Sequence, residues 1–207
     1  MSKGVIIDYG MGNLFSVQKK FEGMGLNVVV SSDLSVIENA DWYVLPGVGH
    51  FAAAVRNLKN SGIWTLLDKK VINDGVPIMG ICLGMQLMMI HSEEGNENGF
   101  GWINGNVKRF NVSDKLKYKI PHVGWNYLNT QSNILDFSII DKPMYFVHSY
   151  YVDSQDESVI MAHTTYDQSF VSIVAHKNIL GVQFHPEKSQ HQGEMMIQLF
   201  IDNFCNV

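Results

Sequence analysis

No apolar run in this chain approaches the ~20 residues that a membrane-spanning helix requires, so no helical span is expected. Cysteine is scarce: Cys82 and Cys205 are the only two in 207 residues. They lie far apart and the second is nearly terminal, which argues against a disulfide framework and for a reducing, cytoplasmic setting. Positive charge is not in surplus. Fifteen Lys and Arg against twenty Asp and Glu leave a formal net charge of −5, which gives no electrostatic case for nucleic acid. Internal repeats, low-complexity tracts and linkers rich enough to divide the chain are all missing. The opening MSKGVIIDYG has one lysine and a short apolar stretch that meets Asp8 at once. It reads as a first strand and not as a signal peptide.

What remains is a chain 46% hydrophobic, enough at this length for a sizeable core, and one domain over residues 1–207 is expected. Through the first half, apolar runs of strand length alternate with helix-like stretches. VIID (5–8), NVVVS (27–31), WYVLP (42–46) and PIMGIC (77–82) read as strands. Helical patterns follow around Leu14, Val17, Phe21 and Met24, with Asn13 as N-cap and Gly23 or Gly25 as stop. Further helices are expected over 51–73, broken near Gly62, and over 83–92. Such alternation predicts an α/β fold, a mostly parallel sheet with helices on both faces. The second half changes character. GWINGNVKRF, PMYFVHSYYV, SVIMAHTTY, SFVSIVAHK and ILGVQFHP read as strands separated by turns, an antiparallel extension of the sheet, before a last helix from about His191 to Phe204.

Cys82 sits in GICLGMQ (80–86), at the end of a strand and the start of a helix. Ligands of open α/β sheets gather outside such carboxyl ends. G-x-C-x-G has the design of the G-x-S-x-G elbow, in which flanking glycines permit a strained turn that projects the reactive atom. The helix opening at about Leu83 would direct free N–H groups at the sulfur and favour its nucleophilic form. A small apolar filler is the competing reading.

A cysteine nucleophile needs a base. Of eight histidines, most have plain readings: His91 at a helix end, His163 and His176 on strands, His191 at the start of the last helix. His185 differs. It ends an apolar strand in VQFHPEKS, Pro186 stops that strand, and Glu187 follows two residues on. In extended backbone those two side chains face the same way, so the carboxylate can hold the imidazole in one tautomer. A strand-end histidine beside a solvated glutamate is the alternative. LPGVGHF (45–51) is another strand end, where Gly47 and Gly49 flank Val48. The Val48 and Leu83 N–H groups together could stabilise an oxyanion by on the order of 3 kcal/mol per donor. An ordinary glycine turn or a phosphate site would read the same way.

In this order and spacing, PGVG (46–49), GICLGMQ (80–86) and FHPEKS (184–189) resemble the class I (triad-type) glutamine amidotransferases over nearly the whole chain. The resemblance implies the flavodoxin-like three-layer fold of that family and hydrolysis of glutamine through a thioester on Cys82. It assigns His185 as base and then acid, and Glu187 as the group that orients it. Gln86 and the loop at Gly47 and Gly49, with the backbone of Ser149 and Tyr150, would bind glutamine. YGMGN (9–13), FGWINGNVKRF (100–110), KIPHVGWN (119–126) and YFVHSYY (145–151) resemble, more narrowly, the glutaminase subunits of imidazole glycerol phosphate synthases of histidine biosynthesis. That resemblance implies a (β/α)₈ cyclase subunit as partner in a heterodimer. It puts His122, Trp125, Asn126 and Lys188 at or near the contact, and Tyr145 near the ammonia exit.

His50 departs from the family pattern after PGVG, where a small residue is expected; it reads as a rim histidine. The 128–142 stretch matches no family segment. Two rivals stay open: a paralogous glutaminase feeding a sugar-modifying amidotransferase of surface-polysaccharide synthesis, and a flavodoxin-like binding module without activity. His185, Glu187 and Cys82 can be imagined as metal ligands, but no C-x-x-C or H-x₃-H spacing accompanies them. No metal or cofactor is expected. Met85, Met88 and Met89 read as core filling.

Overall fold

The computed structural model describes residues 2–130 and 142–205; residues 131–141, inside the stretch without a family match, lie outside them. The first half runs β1 (Gly4–Ile7), α1 (Leu14–Gly23), β2 (Val28–Ser31), α2 (Leu34–Glu38), β3 (Trp42–Leu45), α3 (Phe51–Asn60), α4 (Ile63–Asp68), β4 (Ile78–Ile81) and α5 (Leu83–Leu87). Asn13 caps α1 by accepting from the Ser16 N–H at 3.3 Å. Gly62, at φ 76°, breaks the helical run between α3 and α4 as the sequence predicts. The second half runs β5 (His91–Ser92), β6 (Glu97–Asn98), β7 (Asn106–Arg109), β8 (His122–Asn126), β9 (Asn129–Thr130), β10 (Met144–His148), β11 (Tyr150–Asp153), β12 (Ile160–Tyr166), β13 (Gln168–His176), β14 (Ile179–Val182) and α6 (Gln190–Phe204).

Five strands pair in parallel in the order β2-β1-β3-β4-β14, the order of a flavodoxin-like sheet. Strands β1, β3, β4 and β14 are buried throughout, because helices cover both faces and leave no solvent side to alternate toward. Val5, Ile7, Tyr43 and Leu45 face a core shared with α2, α3, α4 and α5. Ile6, Trp42, Val44 and Met79 face the opposite core, with α1 and α6. Past β14 the sheet continues through antiparallel β13, β11 and β7, the extension expected from the sequence. β8 and β10 form a separate antiparallel ribbon.

Three expectations are corrected. The helix over 83–92 ends at Leu87, and His91 lies on strand β5. The carbonyls of Leu87, Met88, Met89 and Ile90 are taken by the amides of Phe100, Ile103, Gly101 and Gly99 at 2.8, 3.1, 3.0 and 3.0 Å. A distant loop therefore satisfies the orphan carbonyls of the helix end. In GWINGNVKRF only Asn106–Arg109 is strand. PMYFVHSYYV is two strands, broken at Ser149, that belong to different sheets. The short α2 has no counterpart in the sequence reading.

Candidate active site

The carboxyl ends of β1, β3, β4 and β14 deliver four segments to one edge: Asp8–Gly10, Pro46–Gly49, Cys82, and Gln183–His185. Cys82 has φ 54° and ψ −107°, a backbone state costing on the order of 1–3 kcal/mol that surrounding structure must hold. The elbow glycines act differently from the sequence argument. Neither Gly80 nor Gly84 has a left-handed φ; the strain falls on Cys82 itself. The glycines permit close approach instead. A Cβ on Gly84 would overlap the Leu45 carbonyl oxygen, and one on Gly80 would meet the Gly84 carbonyl carbon at 2.8 Å.

Parallel pairing sets Val182 beside Ile81, and the Cys82 N–H donates to the Val182 carbonyl at 2.8 Å. Residues a hundred positions apart thus become lateral neighbours. His185 and Glu187 follow, their side chains each only 2% exposed, with Nδ1–H donating to Glu187 Oε1 at 2.8 Å. The pair forms as expected, but its backbone is not extended: Pro186–Lys188 is a 3₁₀ turn. Ser189, fully buried, fixes this turn by donating to the His185 carbonyl at 2.6 Å and accepting from the Tyr145 N–H at 3.0 Å. The His185 N–H in turn donates to the Tyr145 carbonyl at 2.9 Å.

Burial alone would push the His185 imidazole down. The neighbouring Cys82, then the Glu187 carboxylate bonded to Nδ1, outweigh it and raise the ring well above its ordinary value. Among the described residues His185 Nε2 has no aligned hydrogen-bond partner, the loose geometry usual where a substrate completes the contact. Tyr9 stands on the other side. Its hydroxyl donates to the Pro46 carbonyl at 2.7 Å, and burial, with the Cys82 charge added, pushes its phenol far up.

A cavity of about 270 Å³ opens in front of the sulfur, below the ~300–1,000 Å³ of drug-sized sites and so suited to a small ligand. Val48, Gly49, Cys82, Leu83 and Gln86 form one wall; Val147, His148, Ser149 and Tyr150 form the other. Gly47 sits behind this lining, where a Cβ would run into the Tyr9 hydroxyl and Leu83. Leu83 opens α5, so its N–H has no acceptor within the helix. Glu94 is the acidic group in the lining, and its Oε2 accepts from the Phe51 N–H at 2.8 Å. It thereby caps α3, which His50 at the N-cap position does not; His50 is an exposed rim residue beside Gly95.

The residues assigned to a partner contact divide. Trp125 is 47% exposed and packs edge-on against Tyr145 at 5.7 Å, with Lys188 Nζ 5.7 Å from the same ring. His122 is buried on the inner side of the ribbon, behind its exposed face. It stacks on Tyr166 at 4.1 Å, and its Nδ1 lies 3.0 Å from His148 Nε2. His148 Nδ1–H donates to the Tyr150 carbonyl at 2.8 Å. Burial pushes both rings down, His122 to about 4 and His148 to about 3. Asn126 turns inward, donating to the Thr165 carbonyl at 2.9 Å. The exposed side of β8 is Val123 and Trp125.

Tyr9, Glu94, His148, Gln183 and Ser189 went unassigned in the sequence. For Gln183 a signal existed: two residues before His185, it is the polar residue in an apolar strand end.

No group of three or more His, Cys, Asp or Glu among the described residues is arranged to hold a metal ion. No helix among them is long and apolar enough to cross a membrane. A model of the glutamine amidotransferase class-I family matches residues 5–204. The chain belongs to the class-I glutamine amidotransferase family. Within it, the chain is 43% identical over 198 residues to imidazole glycerol phosphate synthase subunit HisH 2 of Methanococcus maripaludis, covering 95% of this chain and 97% of that one. It is 44% identical over 200 residues to subunit HisH of Aquifex aeolicus, covering 95% and 94%. A solved glutamine amidotransferase superposes with a TM-score of 0.75 at 15% identity, covering 98% of this chain and 99% of that one, a likeness of fold.

Proposed function

We propose that this chain is the glutaminase subunit of an imidazole glycerol phosphate synthase, acting as one amidotransferase domain in the cytoplasm. One observation carries the mechanism: Cys82 and the His185–Glu187 pair converge beside a small cavity with an acidic group in its lining. The Cys82 sulfur attacks the side-chain amide carbon of glutamine. The Val48 and Leu83 N–H groups receive the oxyanion. His185, its ring raised by Cys82 and Glu187, takes the sulfur's proton as the attack begins and gives it from Nε2 to the leaving nitrogen as the C–N bond breaks. Ammonia departs and a thioester remains. Water then attacks it, His185 takes the water proton, and the C–S bond breaks to release glutamate. Glu187 holds the ring in register throughout. Glu94 suits the substrate's α-ammonium group by charge, and the backbone of Ser149 and Tyr150 with Gln86 and Gly49 encloses its other end.

The ribbon of β8 and β10 supports the partner reading. It sets an exposed Val123, Trp125 and Tyr127 next to the cavity wall at Val147–His148. A (β/α)₈ cyclase seated there would receive ammonia past Tyr145 before water converts it to ammonium, in a heterodimer. Gly49, at φ 117°, gives the Val48 loop a residue that tolerates rearrangement, so docking can complete the oxyanion site. The expected result is slow ammonia release by the purified chain alone, acceleration of at least ~10-fold with a cyclase subunit and its ligand, and none from Cys82→Ala. Fast turnover without a partner would refute the coupling. Stimulation by a sugar amidotransferase but not by a cyclase would shift the assignment to the polysaccharide branch.

A further inference from the structure

The chain of amides behind the sulfur carries an inference about Gln183. Its side chain is fully buried, and its Nε2 lies 3.6 Å from Cys82 Sγ. Its Oε1 accepts from Gln86 Nε2 at 3.0 Å, and the same Gln86 nitrogen donates to the Tyr150 carbonyl at 2.9 Å. Side-chain amides can be turned end for end, so their orientation needs an anchor. Here the anchor is a backbone carbonyl, which only accepts. Gln86 must therefore present its NH₂ to Tyr150, and an NH₂ only donates. Gln183 must then present oxygen to Gln86, which leaves its own NH₂ facing Cys82.

The position of Gln183 is equally determined. Val182 pairs with Ile81, so the next residues on the two parallel strands, Gln183 and Cys82, stand side by side. The Gln183 N–H donates to the Ser172 carbonyl at 2.9 Å, which holds its backbone to the neighbouring strand. A donor fixed from both ends in a dry site favours a sulfur that accepts, and it loses nothing to reorganisation when charge on that sulfur changes.

Resting on the glutaminase reading above, we propose that Gln183 is a further catalytic residue: its side-chain N–H, oriented by Gln86 and the Tyr150 carbonyl, holds the Cys82 sulfur in its attacking position and steadies it as the nucleophilic anion. Other titratable groups face that sulfur, and its reactivity reports all of them: His185 with Glu187 behind it, Tyr9 from the end of β1, and His148 on the far wall, with Glu94 in the cavity. The test therefore compares variants at a single site.

Gln183→Glu keeps shape and still accepts from Gln86 but turns an acceptor toward the sulfur. Gln183→Met removes the donor. Both are compared with the parent for the rate of Cys82 carbamidomethylation by iodoacetamide against pH, and for glutaminase kcat and KM in the complex with the cyclase. The proposal predicts alkylation profiles displaced to higher pH by roughly half a unit or more, kcat down ~10- to 100-fold and KM within about threefold. Parental alkylation and kcat in folded Gln183→Glu would overturn it. Should Gln183→Met fail to fold, the near-isosteric Gln183→Glu decides alone. Alkylation needs no glutamine, so the outcomes separate: a parental profile defeats the role of Gln183, whereas undiminished ammonia release from Cys82→Ala defeats the glutaminase reading itself.

Discussion

Glu187 has two buried carboxylate oxygens, and among the described residues only Oε1 has a partner, the His185 ring. A buried, half-satisfied carboxylate is costly, and its presence here is explained by what it does to the imidazole. Glu187→Gln keeps the shape and removes the charge. Glutaminase kcat in the complex is expected to fall ~10²- to 10⁴-fold, with the thermal midpoint preserved or raised; steady-state ammonia release and a melting curve measure both. The buried histidines make a different prediction. An unfolded histidine charges near pH 6.5, whereas His122 and His148 stay neutral in the fold until about 4 and 3. Between these limits the unfolded chain binds more protons. The stability these residues contribute is complete above about pH 6.5 and is lost as pH falls, by up to ~1.4 kcal/mol per pH unit for each ring. Denaturant unfolding of His148→Asn across pH 4–7 should show that slope reduced by about one proton; an unchanged slope would sink the idea. At this scale the sequence was informative where chemistry is written locally. His185, Pro186 and Glu187 are neighbours, so their pairing could be anticipated. Gln183 stands out locally only as a polar residue in an apolar strand end; its role comes from the adjacent strand, and that of Glu94 from a distant helix end, which no local pattern records.

Among the elements, α5 is shorter than its sequence pattern predicts. Met88 and Met89 continue an apolar pattern past Leu87, but the 99–103 loop captures the carbonyls that a longer helix would need. Tertiary hydrogen bonds ended the helix where periodicity continued. Conversely, the stop at Gly62 and the cap at Asn13 are local, and both were legible. The short α5 also makes a test. Gly84→Ala gains ~1 kcal/mol of helix propensity, but its Cβ would overlap the Leu45 carbonyl oxygen, and overpacking costs ~1–3 kcal/mol. Backbone contacted by backbone has little room to relax, so the cost should prevail. The variant should lose stability and, by displacing the elbow, most of its kcat. A stabilised, fully active Gly84→Ala would show that the close approach at Leu45 does not matter.

Over the whole molecule, the strand order β2-β1-β3-β4-β14 gathers four loops at one edge. The parallel alternation predicted that sheet, and the three motifs at strand ends predicted where chemistry would collect. The ribbon of β8 and β10 was beyond reach, because the long apolar run 143–152 hides the break at Ser149 that sends its two halves to different sheets. That break matters: it lets one segment line the cavity through Ser149 and Tyr150 while carrying Tyr145 to the exposed ribbon. Coupling between glutamine hydrolysis and a docked cyclase then has a short physical route. The most direct measurement is the intact mass of the chain after exposure to a chloroketone analogue of glutamine, in the presence of the cyclase. One adduct on Cys82 is predicted, slowed by free glutamine, strongly slowed in His185→Asn and missing in Cys82→Ala. A chain that stays unmodified, or that reacts at Cys205 instead, would contradict the account.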